Sequence, residues 1–486
     1  MNRLQILLTA TILTLGLLLR LYKFNSPVAD WHSFRQVDTL SVTKNYLNQG
    51  LDLLRPTYHD LSSTQSGRDN PQGYRMVEFP VYNLISIVTQ KITNLDVDLA
   101  SKTTSITLSI TSALIIFLWI YSLTHTFGPA ILSMSVFLLL PFNIYFNRTT
   151  LPENTAVFFM ILSLYLFKIN PIIAGISLGL SALIKPFTLI LASPIILFIF
   201  VKSKSINRIY IAKTIFFIIF SIVTLYLWRK WINNFPEGIP ASGWLLNFSD
   251  KPIFPQWYRG YNLDFLNSLL FIRPYWWRWL ILERITILIL GGLGVIPLFL
   301  GLIYKKNNIN IINTLGFCGI FLYFIIVPGG NIQHDYYQIL IIPFIAITVG
   351  CGLFYIYKFT FDTKLMSVLS IIFILSLSLF FSAEKILPNY AINHPEIITA
   401  GKKVNDVTPK NSIIIAPYNG DTALLYQTNR SGFPIEVYDF NPIKKEFPNQ
   451  PIYLLSVNFD NYTNEVIKQF PTIYRDNQFV ILEIQN

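Results

Sequence analysis

Asp30, His32, Arg35 and Asp38 fall within nine residues of one another in the stretch ADWHSFRQVDTL, directly after the first apolar run of the chain. If DWHSFRQVDTLSVTKNYL is helical, His32, Arg35 and Asp38 follow at intervals of three and share a face, with Thr39 alongside. Beside an apolar wall, such a face binds an anion through Arg35 and moves a proton through His32 or Asp38. Asp30, nearest the end of the apolar run, is a third candidate for the base. Position alone does not choose among them. A neutral imidazole accepts a proton at neutral pH, whereas a carboxylate near its ordinary value of ~3.9 needs burial to do so. The arrangement we favour is Asp38 paired with His32, the carboxylate orienting the ring or taking the proton itself.

A second group stands in RMVEFPVYN, where Glu78 precedes Phe79 and Pro80. A carboxylate against apolar neighbours holds its proton more tightly unless a cation lies beside it, and Arg75, three residues earlier, is the local partner expected for it. Further on come Arg148 and Glu153 in NRTTLPEN, Lys185 in LIKPF, and His334, Asp335, Tyr336 and Tyr337 in QHDYYQ. Each has a plainer explanation as well. Thr150-x-Pro152-Glu153 reads as a helix start, and tyrosines at a turn suit a membrane interface.

The elements that must position these groups are mostly apolar. Of 486 residues, 52% are hydrophobic and only 13% charged, the balance of an integral membrane protein. The first run, residues 4–24, is too long for a secretory signal and lacks a small-residue cleavage site, so it is expected to remain as a spanning helix. Further runs at 101–123, 129–147, 151–167, 171–184, 186–201, 211–228, 285–304, 311–327, 338–357 and 365–382 bring the expected number of crossings to about eleven. The net charge of +11 sits mainly in short loops, which points to topology and not to nucleic acid. Counted from a cytoplasmic start, the basic clusters VKSKSINRIYIAK, YKKNNIN and YKFTFDTK all face the cytoplasm, as positive-inside orientation requires. The long loops 25–100 and 229–284 then face outward with the tail. Lys185 and Pro186 interrupt the run between 171 and 201, giving two short crossings or one kinked helix, and charge parity favours two.

From about residue 384 the composition changes to short β-type runs, such as NSIIIAP, QPIYLLSV and FVILEI, around a helical stretch. The expected division is a multi-span domain over 1–384 and a small outer-face α/β domain over 385–486. Cys318 and Cys351 lie in apolar runs as packing residues. No glycine-rich phosphate loop is present, and GGLG at 291–294 is expected inside a span as a close helix contact.

In their order, WHSFRQVDT, EFPVY, RTTLPEN, LIKPF and HDYYQILIIPFIA resemble the bacterial branch of the dolichyl-phosphate-mannose protein mannosyltransferase family, glycosyltransferase family 39, to which a lipid A aminoarabinose transferase is related. The resemblance covers about residues 1–385 and rests on the ordered set of motifs. It implies a GT-C fold and transfer of a sugar from a polyprenyl phosphate to a lipid, glycan or protein hydroxyl at the outer membrane face. It makes Asp38, His32, Asp30 and Glu78 the catalytic candidates. Arg35, Arg75 and Lys185 become candidate donor-phosphate contacts, and Arg148, Glu153, His334 and Tyr337 candidate substrate contacts. A divalent cation, magnesium, manganese or zinc, would be held by Asp38 and Glu78. The chain departs from the family pattern where His32 stands at the usual first acid and Phe79 at the lysine that follows the glutamate. Two other classes are a secondary transporter, for which Lys185 is the main mid-membrane charge, and an outer-face binding protein, for which so many spans are excessive.

Overall fold

The computed structural model describes residues 2–202, 208–241 and 273–485. Most of the expected loop 229–284 and the centre of the basic cluster VKSKSINRIYIAK lie outside the described residues. The chain divides into two compact units, each assembled from separate stretches.

The first unit holds residues 1–24, 102–229 and 242–389 and is helical throughout its described part. Among the described residues, six helices are long and apolar enough to cross a membrane: Arg3–Arg20, Val97–Thr124, Ala212–Ile232, Ile309–Ile326, Asp335–Thr360 and Lys364–Tyr390. Their burial sorts them. Asp335–Thr360 has 94% of its apolar window inside the protein, whereas Arg3–Arg20, Ala212–Ile232 and Lys364–Tyr390 bury only 17–22% of theirs. Exposed leucine, isoleucine and phenylalanine on that scale are tolerable only where lipid replaces water. Other expected crossings form shorter helices, including Phe127–Leu139, Glu153–Leu166, Pro171–Ile184 and Phe187–Val201. At ~1.5 Å per residue these are shorter than the ~30 Å hydrocarbon layer.

Glycines set the closest helix contacts. A Cβ at Gly350 would lie 2.3 Å from Ser133 N, and one at Gly352 would lie 1.7 Å from Pro297 O, so only glycine lets Ile342–Tyr355 approach its neighbours so nearly. The GGLG stretch differs from expectation. Gly291 and Gly292 have φ of +55° and +80° and form a turn between Arg278–Ile289 and Val295–Ile303, which breaks the anticipated span 285–304. Arg20, buried at the end of the first helix, is bonded to Ser109 Oγ at 3.1 Å and to the Gly16 and Leu138 carbonyls at 2.9 and 3.0 Å.

The second unit holds residues 25–101, 230–241 and 390–486. This grouping differs from a division at 384/385, because the long first loop packs with the C-terminal residues. Five strands, β1 (Ile413–Ile415), β2 (Ser431–Phe433), β3 (Ile452–Ser456), β4 (Thr472–Arg475) and β5 (Val480–Gln485), form one sheet in the order β2-β1-β3-β5-β4. β2, β1 and β3 run parallel, and β5 is antiparallel to β3 and β4. Both faces are covered, one by the layer of Ile413, Ile415, Leu454 and Leu482, the other by that of Ile414, Leu455, Ile481 and Val404, so the central strands are apolar without alternation.

The first loop joins this sheet at its β2 edge. Gly432 N donates to His59 O at 2.9 Å and Leu61 N donates to Gly432 O at 2.8 Å, while the Leu61 side chain enters the sheet's core. An open edge is thereby paired and one more apolar residue buried. Segment 56–58 also pairs with 73–75, through Tyr58 N to Gly73 O at 2.7 Å and Arg75 N to Pro56 O at 2.8 Å. Gly73 has φ of +62°, and a Cβ there would meet Tyr58 O at 2.5 Å. This turn carries Arg75 back over the loop.

Candidate active site

The expected helix in the first loop is present as Ser33–Gln49, and its first two turns are buried nearly all round. Asp38 is 2% exposed. Its Oδ2 lies 2.9 Å from Arg75 Nη2 and 3.4 Å from Gln65 Nε2, and its Oδ1 accepts from Thr422 Oγ1 at 2.7 Å. Three segments distant in sequence therefore fix one carboxylate. Arg75 also bonds Gln65 Oε1 and lies over the Tyr58 ring, 5.1 Å from its centroid, whereas its buried Nε has no hydrogen-bond partner among the described residues.

Arg35, one turn before Asp38, pairs with Glu78. The local Arg75–Glu78 pair anticipated from spacing gives way to two longer-range pairs, Arg35–Glu78 and Arg75–Asp38. The turn at Gly73 is the cause, since it lays Arg75 against the helix face. Asn83 locks the next helix, Val81–Thr93, to the same face by donating to Thr39 O at 2.8 Å and to Thr43 Oγ1 at 2.9 Å. Arg35, Asp38, Thr39, Arg75, Glu78 and Asn83 line a cavity of about 20 Å³, room for roughly one water.

His32 is not part of this face. It precedes the helix with φ of +56°, in the left-handed region, and its ring packs 4.8 Å from Trp31 and 6.0 Å from Phe34. The bonds of the Asp38 carboxylate run to Arg75, Gln65 and Thr422, while His32, outside the first turn, does not follow the helical interval. Asp30 is 8% exposed and accepts from Gln36 Nε2 at 2.8 Å, which secures the helix entry.

The cation expected at Asp38 and Glu78 does not fit the groups as placed. Each carboxylate faces an arginine, and no group of three metal-ligating side chains occurs among the described residues.

Sequence reasoning missed Thr422, Gln65, His59, Asp60 and Asp421. His59 is 5% exposed, with Nε2 3.2 Å from Thr422 O, and burial pushes its imidazole down to about 4. Asp60 is fully buried. Its burial raises the carboxyl to about 6 against hydrogen bonds from Ser62 N at 2.8 Å and Tyr58 OH at 3.2 Å. Asp421 is also raised to about 6, by burial first and then by the charge of Asp38. A polar buried run such as YHDLSS was the available signal, but it resembles any solvated loop.

The other candidates lie in the helical unit. Lys185 ends Pro171–Ile184 in an extended conformation, Pro186 starts Phe187–Val201, and the run is thus two helices. Lys185 Nζ lies 2.6 Å from Glu153 Oε1 and 5.8 Å from the Tyr337 ring centroid. His334 stacks on Tyr336 at 5.1 Å and on Tyr337 at 6.3 Å, and Asp335 lies 3.8 Å from Arg284. Glu153, Lys185, His334 and Tyr337 thus form one neighbourhood. Arg148, 1% exposed, directs Nη1 to Lys23 O at 3.0 Å.

This fold, with apolar outer helices, a long polar first loop and a C-terminal sheet, is shared with solved structures over nearly the whole chain. In particular, the chain is similar to ArnT from Cupriavidus metallidurans bound to undecaprenyl phosphate, with a TM-score of 0.62, 11% identity, and 98% of this chain and 97% of that chain covered. It is also similar to the oligosaccharyltransferase AglB from Archaeoglobus fulgidus in complex with an inhibitory peptide and a dolichol-phosphate, at a TM-score of 0.52, 10% identity, and coverage of 92% and 69%. An Archaeoglobus fulgidus oligosaccharyltransferase in complex with zinc and sulfate gives 0.53, at 10% identity and coverage of 92% and 67%. No protein-family profile and no curated protein sequence matches the chain.

Proposed function

We propose that this chain is an integral membrane glycosyltransferase that moves a sugar from a polyprenyl-phosphate donor to a hydroxyl of a lipid, glycan or protein. The observation that carries it is the arginine-braced Asp38 within a fold shared over 98% of the chain with a transferase bound to undecaprenyl phosphate. The positive-inside distribution of its loops supports a chain of about eleven crossings with the first loop, the C-terminal residues and the reaction on the extracytoplasmic side.

The acceptor oxygen attacks the anomeric carbon from the face opposite the phosphate, so one displacement inverts that centre. The bond from C1 to the phosphate oxygen breaks with its electron pair on the leaving polyprenyl phosphate. As the new C–O bond forms, the acceptor hydroxyl becomes acidic and its proton passes to Asp38. A carboxylate already oriented by Arg75 and Thr422 loses little freedom in aligning that hydroxyl. Arg35 and Arg75 stabilise the charge growing on the phosphate, Arg75 through the Nε that has no acceptor among the described residues. Glu78 holds Arg35 in place. Turnover of a labelled polyprenyl-phosphate sugar by the purified chain tests the proposal, and a wild-type protein that binds the lipid without transferring sugar contradicts it.

A further inference from the structure

Within the second unit, a pocket of about 320 Å³ opens between the helix Ser33–Gln49 and the β1–β2 edge of the sheet. Lys44, Lys410 and Arg430 line it, together with side-chain amides that include Asn48, Asn411 and Gln450, and its lining contains no carboxylate. Arg430 is 8% exposed, yet its bonds run to neutral acceptors: Pro409 O at 2.9 Å, Thr408 O at 3.1 Å and Asn405 Oδ1 at 2.9 Å. No carboxylate among the described residues lies within ion-pair distance of it. Lys44 bonds Asn429 Oδ1 at 2.9 Å, with its nearest carboxylate, Asp98, at 3.8 Å. The pocket is therefore positive. Its amides offer donors and acceptors in pairs, the chemistry that holds vicinal hydroxyls.

His59 supplies an independent sign of a ligand. Its Nε2 faces a carbonyl, Thr422 O, so that nitrogen carries the proton and Nδ1 is left as an acceptor. That buried Nδ1 has no hydrogen-bond partner among the described residues, and the residue lines the pocket. A buried acceptor without a donor carries its full desolvation penalty, which a hydroxyl from a ligand would relieve. Thr422 joins this ring to the candidate base, taking His59 on its carbonyl and donating its hydroxyl to Asp38.

We propose that this pocket binds an anionic saccharide, a hydroxyl-rich ring bearing a phosphate, as the head of the acceptor. The role of acceptor rests on the transferase proposal, whereas binding does not. The head comes from a membrane glycolipid or from a free sugar phosphate.

Calorimetry on the full chain in detergent tests binding with glucose 1-phosphate, glucose and inorganic phosphate. In parallel, nanodiscs of phosphatidylcholine with or without phosphatidylinositol 4-phosphate present a phosphorylated ring on a lipid. The pocket predicts that a phosphorylated ring binds at least about ten-fold more tightly than glucose or phosphate alone, and that Lys410→Glu and Asn48→Asp, both at exposed positions, each weaken it by about ten-fold or more. Binding of the soluble probe assigns a free sugar phosphate, and binding of the lipid-borne ring alone assigns a headgroup. If neither binds, if glucose binds as well as its phosphate, or if both variants keep wild-type affinity, the proposal is overturned. A wild-type protein that binds the phosphosugar but transfers no sugar leaves the pocket standing and removes the transferase proposal.

Discussion

Thr422 Oγ1 donates a hydrogen bond to Asp38 Oδ1 at 2.7 Å across 384 residues of sequence. The C-terminal sheet unit is therefore part of the candidate active site and not an appendage to it. Thr422→Val removes a bond to a charged group, worth about 1.5–3 kcal/mol, and is expected to lower kcat by roughly 10- to 100-fold. Thr422→Ser should restore most of it. A purely structural threonine would instead show a lowered unfolding midpoint with kcat unchanged in the surviving protein.

Arg35 is assigned to the leaving phosphate. Arg35→Ala should reduce transfer by about 10²-fold or more, because a charge-assisted contact tightens in the transition state. Arg35→Lys should recover only part, the planar fork being lost. Wild-type kcat in Arg35→Ala would remove this assignment.

How far the sequence led is clearest at these residues. Arg35 and Asp38 were legible because three-residue spacing in a helix fixes their face, and both are buried there. His32 was misplaced by one helix boundary, the feature that spacing determines least. Thr422, Gln65 and His59 were invisible for a different reason. Neutral groups from distant segments gain their meaning only when the chain closes. The sheet was legible from its β-type runs, yet its union with the first loop was not, since it depends on two backbone bonds at Gly432 and the insertion of Leu61. In the membrane part apolar runs marked the helices, but the turn at Gly291 and Gly292 depends on a backbone conformation that hydropathy does not register.

Asp60 makes the pH dependence of stability testable. Its carboxyl rises from 3.8 to about 6 on folding, mainly through burial. The folded state thus binds more protons between those values, and the stability this group contributes is fully present below 3.8 and lost as pH rises through about 6. Asp60→Asn removes the effect and keeps an acceptor for Ser62 N. The unfolding midpoint of Asp60→Asn relative to wild type should climb as pH rises from about 4 to 6.5 and then level off, with about 3 kcal/mol as the upper bound. A difference independent of pH would contradict the assignment.

The pair of Lys185 and Glu153 separates structure from substrate contact. Lys185→Met leaves a carboxylate buried without its cation and should destabilise by about 3–5 kcal/mol, while Lys185→Met with Glu153→Leu should recover stability. If Lys185 meets the donor phosphate, the double variant folds and binds the donor poorly. Full donor affinity in that variant makes the pair structural.

Topology is checked with an impermeant thiol reagent on intact cells. Arg68→Cys, in the exposed part of the first loop, should label from outside, and Lys364→Cys should not. The reverse pattern would invert the orientation proposed for the reaction.

In the proposed reaction Asp38 takes the acceptor's proton during transfer from a polyprenyl-phosphate sugar. Single-turnover transfer of labelled sugar, with donor affinity measured in parallel, tests it most directly in wild type and Asp38→Asn. Asp38→Asn is expected to lose about 10²-fold or more in the transfer rate with donor affinity little changed. Transfer by Asp38→Asn at the wild-type rate would contradict it, and an inactive Asp30→Asn beside it would move the base to Asp30.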